Sequence, residues 1–99
     1  MPSWRRLFRR LMEGSGDFAP DELLLVAARL GCDIRQGGKA SHIVISHELL
    51  RRPGRPVPRI VMVTSRKRAK PYEIARMRKF ISLVEEARFM QEAEEGEFH

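Results

Sequence analysis

The 99-residue chain has a single cysteine, Cys32, which excludes an internal disulfide framework and leaves packing alone to hold the fold. A lone thiol suits a reducing compartment and reads as a small apolar core residue. Apolar runs are short: the longest, LLLVAA at 23–28, falls far below the ~20 residues that a spanning helix needs. Arginines interrupt WRRLFRRLM, where a secretory leader requires an unbroken apolar stretch. A cytoplasmic protein without a membrane segment is therefore expected. One cysteine and three histidines, of which His99 is terminal, are too few to suggest a metal centre. No Gly-x-Ser-x-Gly elbow, phosphate-binding loop or dinucleotide fingerprint occurs, and no helix-turn-helix is evident. No cofactor is expected. A chain of this length forms one modest core, burying roughly 60–65% of the surface that its unfolded form exposes.

Charge is abundant and unevenly placed. Residues 1–19 carry four Arg against Glu13 and Asp17, net +2; residues 20–84 carry fourteen Lys or Arg against five acids, net +9; residues 85–99 carry Arg88 against six Glu, net −5. The basic middle favours a polyanionic partner, foremost RNA. The acidic end would be repelled by phosphates and is expected to continue a helix before fraying, or to touch the basic face when nothing else occupies it.

Periodicity sets the element order. Trp4, Leu7, Phe8, Leu11 and Met12 fall on one face of a short helix, with four arginines opposite and Ser3 as N-cap. EGSGD reads as a flexible break. Pro20, Asp21 and Glu22 open a second helix that Gly31 closes. CDIRQ alternates, with Cys32 and Ile34 inward; GGKA turns the chain; SHIVISHE is a second strand and VPRIVMVT a third, starting late or lying at an edge because of Pro58. The last helix starts at Pro71, with Ile74, Met77, Ile81 and Val84 on its apolar face and Phe80 and Leu83 widening it. The expected fold is α+β: residues 1–19 as an N-terminal basic amphipathic helix and linker, 20–90 as an α-β-β-β-α domain, and 91–99 as an acidic tail. A three-stranded antiparallel sheet with its helices on one face packs this order most economically.

Within GGKASHIVISH, strand parity puts His42 and His47 on opposite faces, so the two cannot share a metal on an unbulged strand. His47 is left as a structural or edge residue. His42 stands at a strand start, behind a flexible cationic turn. RNA carries its own nucleophile, the 2′-hydroxyl, so cleavage needs orientation, proton movement and charge stabilisation at phosphorus. An imidazole can move that proton near neutral pH, Lys39 can neutralise phosphate charge, and Ser41 can hydrogen-bond an oxygen. A half-exposed structural histidine is the competing reading.

Over residues 20–84, this pattern resembles the HicA family of small bacterial toxin ribonucleases, whose partner is the HicB antitoxin. The likeness rests on a helix ending in RLGC, the strand DIRQ, a Gly-rich turn closing on SH, the strand RIVMV, a basic turn and the helix EIARMRKFISLV. It implies a double-stranded-RNA-binding-like fold and a metal-independent endoribonuclease that cleaves mRNA. His42 would be the active histidine, preceded by Ser41, and the turn SRKRAK would bring Arg66, Lys67, Arg68 and Lys70 to phosphates alongside Lys39. Two positions depart from the family pattern: Ala40 stands where glycine is common and Ile43 where a second histidine often follows. The alternative expectation is a non-catalytic RNA-binding or regulatory protein on the same scaffold. A HicB-like antitoxin and a second copy of the chain are the protein partners considered.

Overall fold

Ser3 starts the first helix, its Oγ accepting from the Arg6 backbone N–H at 3.3 Å, a cap of the kind that contributes about 1 kcal/mol. The computed structural model describes residues 3–14 and 16–97. Along it run α1 (Trp4–Glu13), α2 (Pro20–Arg29), β1 (Asp33–Gln36), β2 (His42–Ser46), a 3-10 turn (Glu48–Leu50), β3 (Arg59–Val63) and α3 (Pro71–Glu97). The end of the acidic tail, Phe98 and His99, lies outside the described residues.

Gly14 ends α1 in the left-handed conformation, φ +81°, and donates to the Arg10 and Leu11 carbonyls. The Leu11 carbonyl also accepts from Arg78 Nε of α3 at 2.6 Å, which ties the first helix to the last. Pro20 opens α2 as expected, with Glu22 reaching back to accept from the Ala19 N–H at 2.8 Å. This satisfies one of the donors that a helix start otherwise leaves free.

The three strands form one antiparallel sheet in the order β1-β2-β3. The cross-strand rows Ile34–Ile45–Ile60 and Gln36–Ile43–Met62 face one way; the rows Asp33–Ser46–Arg59 and Arg35–Val44–Val61, with the pair His42–Val63, face the other. Ile45, Ile60 and Met62 are buried in one cluster with Leu7, Leu11, Phe18, Leu23, Val26, Met77 and Ile81. All three helices therefore contribute to a core on one side of the sheet, and the opposite side is open.

Four expectations need correction. β1 buries nothing along its length, and Ile34 is 37% exposed. Its parity is the inward one, but it sits on an edge strand beyond the reach of the helices. β2 stops at Ser46 instead of running through Glu48. There His47 Nδ1 accepts from the Leu49 N–H at 3.1 Å and caps the 3-10 turn. Leu83 does not widen the core face of α3; it is 38% exposed. The break at EGSGD is also fastened on both sides of Ser15. Arg10 donates to the Asp17 carbonyl and lies over the Phe18 ring, and Phe18 is fully buried.

Leu7 and Leu11 are 1% and 0% exposed, so the N-terminal helix is part of the core. Leu11→Ala is expected to lose about 2–5 kcal/mol of stability, read as a lowered urea midpoint at unchanged slope; an unchanged midpoint would mean that α1 contributes no packing.

Candidate nucleic-acid interface

His42 lies where the β1–β2 hairpin closes. Its carbonyl accepts from the Gly37 N–H at 2.7 Å and its N–H donates to the Lys39 carbonyl at 2.9 Å. The approach at Gly37 is close: a Cβ there would stand 3.2 Å from the His42 oxygen and 3.3 Å from the His42 Cβ, so a side chain would require the hairpin to give by a few tenths of an ångström. Next to it, the Ser41 carbonyl accepts twice from Thr64, from its N–H at 2.8 Å and from its hydroxyl at 3.1 Å. These two bonds fasten the hairpin to the chain leaving β3, so GGKASH and SRKRAK meet at one end of the sheet.

The basic turn is organised by a carboxylate. Glu73, in the first turn of α3, is 1% exposed. Its Oε2 accepts from the Val63 N–H at 3.1 Å, and its Oε1 accepts from the Lys70 N–H at 2.9 Å and from Arg66 at 3.1 Å. Burial opposes the charge on Glu73, but the two backbone donors and the Arg66 guanidinium outweigh it and hold the carboxyl below its ordinary value.

The sequence-derived residues therefore divide. Lys39, Lys67, Arg68 and Lys70 are exposed and belong to the two joined turns, while Arg66 is committed to Glu73. Ser41 is half-buried and serves the fold through its carbonyl. His42 is half-buried as well; its Nδ1 is out of solvent and has no hydrogen-bond partner among the described residues. His47 is buried, its Nε2 3.1 Å from the Leu30 carbonyl. It accepts at Nδ1, so Nε2 carries the proton and donates, and the same carbonyl accepts from Arg88 at 3.0 Å. Cys32 is half-buried; burial foremost, then Asp33, push its thiol up to about 11, with Arg88 opposing, which disfavours the thiolate.

One group was missed by the sequence reading. On the open side of the sheet an open cleft of about 700 Å³ is lined by Arg35, Arg51 and Arg59 around Val44, Ser46 and Val57. Arg51 lies 3.9 Å from Asp33, with both side chains about half exposed, a pairing that solvent makes weak. His42 is on the same face, two residues and about 7 Å along β2 from Val44. Strand parity carried the signal, since it puts Arg35, Val44 and Arg59 on the side of the sheet that Ile45 and Ile60 leave.

No family model matches the chain, and no curated protein or solved structure does. Among the described residues no helix is long and apolar enough to cross a membrane.

The lowered Glu73 carboxyl gives a signed pH effect. Its stabilisation is complete above the ordinary value of 4.5 and is lost as pH falls through the lower folded value. Glu73→Gln is expected to cost about 1–3 kcal/mol at neutral pH, by turning an amide toward donors that now face a carboxylate, and to flatten the fall in stability below that point. Parallel pH–stability curves for the two proteins would contradict the assignment.

Proposed function

We propose that the chain is an RNA-binding domain of HicA-like type, a divergent toxin of the mRNA-cleaving class, in which His42 moves the proton of the RNA 2′-hydroxyl. The order α2-β1-β2-β3-α3 with an open antiparallel sheet supports a double-stranded-RNA-binding-like scaffold. The observation that carries the reading is the pair of Thr64 bonds to Ser41, which brings His42 and Lys39 to the same sheet end as Lys67, Arg68 and Lys70.

In this reading, His42 accepts the 2′-hydroxyl proton as the 2′-oxygen bonds to phosphorus. The bond from phosphorus to the 5′-oxygen breaks, the departing 5′-oxygen takes a proton from water, and the ends are a 2′,3′-cyclic phosphate and a 5′-hydroxyl. The lysines and Arg68 offset charge on the phosphate oxygens, and no metal takes part. The reading places the protein in the cytoplasm, with a HicB-like antitoxin as its protein partner.

A second reading, an RNA-binding or regulatory protein without cleavage, is favoured by one observation. Among the described residues nothing hydrogen-bonds His42 Nδ1, so none of them fixes the imidazole tautomer through that nitrogen.

Purified protein and His42→Ala, incubated with RNA, separate the two. Cleavage leaving cyclic phosphate ends in the parent and absent from a folded His42→Ala supports the first; equal RNA binding with no cleavage by either supports the second. Persistent cleavage by the variant removes His42 from the chemistry. With four exposed cations at the site, the log–log dependence of single-strand affinity on salt should have a slope of about −3, so a fourfold rise in salt costs roughly 50-fold. Salt-independent binding would contradict the electrostatic contact.

A further inference from the structure

The helix α3 has a second ordered face that the core does not use. While Ile74, Met77, Phe80, Ile81 and Val84 turn inward, Tyr72, Arg76, Lys79, Leu83, Glu86 and Met90 are all exposed. They recur at alternating steps of four and three residues, the spacing of a helix–helix seam. Tyr72 is 49%, Leu83 38% and Met90 54% exposed, so the stripe presents apolar surface at its start, middle and end. The Arg76 guanidinium lies 5.3 Å from the Tyr72 ring centroid, which makes those two side chains one unit. Beside the stripe, a groove of about 390 Å³ between β3 and α3 has Ile60, Val61, Phe80 and Leu83 in its lining and Arg59 and Arg76 among its cations.

Charge along this stripe changes sign. Its first half carries Arg76 and Lys79; its second carries Glu86, in a segment with six Glu against Arg88 over residues 85–99. A polyanion fits the first half and is repelled by the second, and a basic surface meets the reverse. The surface that fits both halves has the opposite order of charge, and this stripe, turned end for end, has that order.

We propose that α3 pairs with α3 of a second copy of the chain in a symmetric antiparallel dimer. A two-fold interface is self-complementary, each contact occurring twice. In the register that sets Arg76 of one copy opposite Glu86 of the other, Tyr72 faces Met90 and the Lys79 stem faces Leu83. Both charge pairs are then opposite in sign across the seam, an aromatic ring meets a thioether, and the Leu83 side chains lie near the axis, beside the apolar groove. A parallel pair would set Arg76 on Arg76 and Glu86 on Glu86. The proposal is independent of the RNA reading, since His42 and its two turns form no part of the stripe.

Sedimentation equilibrium of the full chain over a range of concentration and salt tests it. The expected result is a reversible dimer weakened by salt. Leu83→Glu should abolish it, Arg76→Glu and Glu86→Arg should each raise the dissociation constant roughly tenfold or more, and the double charge swap should restore it. All the substituted side chains are exposed, so the variants should keep the parent far-ultraviolet circular dichroism. A parent that stays monomeric at millimolar concentration overturns the proposal, as does a dimer indifferent to the single reversals or a double swap no better than either single. If the parent is monomeric and the reversals alter RNA affinity, the stripe is an RNA contact and the dimer is excluded.

Discussion

The interaction on which the rest depends is the one around Glu73. A single buried carboxylate accepts hydrogen bonds from the end of β3, from the residue before α3 and from Arg66 in the turn between them. An unpaired charge in that position would be strongly unfavourable, whereas three donors make it a clamp that fixes where α3 leaves the sheet. The direction of α3 then decides which residues enter the core and which form its outer stripe. The Thr64 bonds to Ser41 extend the same arrangement to the first hairpin. A fold rule and a site rule coincide here: a basic turn can be held in shape only if one of its cations gives its charge to the protein instead of to a ligand.

Much of the architecture was legible because local signals agreed with tertiary packing. Ser3, Pro20, Gly31 and Pro71 mark helix boundaries through backbone chemistry that packing does not override. The alternation in HIVIS separated the face of His42 from that of Ile43 and Ile45, whereas RIVMV, whose β-branched run suggests a well-buried strand, buries only alternate residues because one side of the sheet is open. The lateral limit of the core was not legible: Ile34 and Leu83 have the right type and parity or spacing, yet each lies past the edge of what the opposing layer covers. Whether an apolar residue is buried depends on the width of its neighbour, and that is not written in its own segment.

At the candidate site the sequence showed which segments carry cations and a histidine, and not how those side chains are engaged. Lys39, Ser41 and His42 were grouped from their own short segment, and the basic turn more than twenty residues further on was added by resemblance; the structure shows the hydrogen bonds that join the two turns. Arg66 was counted with the phosphate-binding cations because charge patterning cannot distinguish a solvated arginine from one bound to a buried acid. Glu73 entered the charge balance as one acid among many, and its burial emerges only when β3, the turn and α3 are assembled. The arginines of the open sheet face were missed for a related reason, since Arg35, Arg51 and Arg59 come from three segments and converge only through strand register and the loop before β3.

The Leu30 carbonyl, shared by His47 and Arg88, divides α3 in a way that its continuous hydrogen bonding conceals. Arg88 is the last side chain tied back to the globule by a hydrogen bond among the described residues, and Phe89 just beyond it is 68% exposed. Beyond Arg88 the helix runs on with exposed side chains, Met90, Gln91 and Glu94 lining an open cleft with Glu48, Leu49 and Arg52 of the 3-10 turn region. Cleavage just after Arg88 would remove Glu92, Glu94, Glu95 and Glu97, four of the thirteen acidic residues, together with Met90 of the proposed seam, so that the chain would become more basic and its means of self-association shorter.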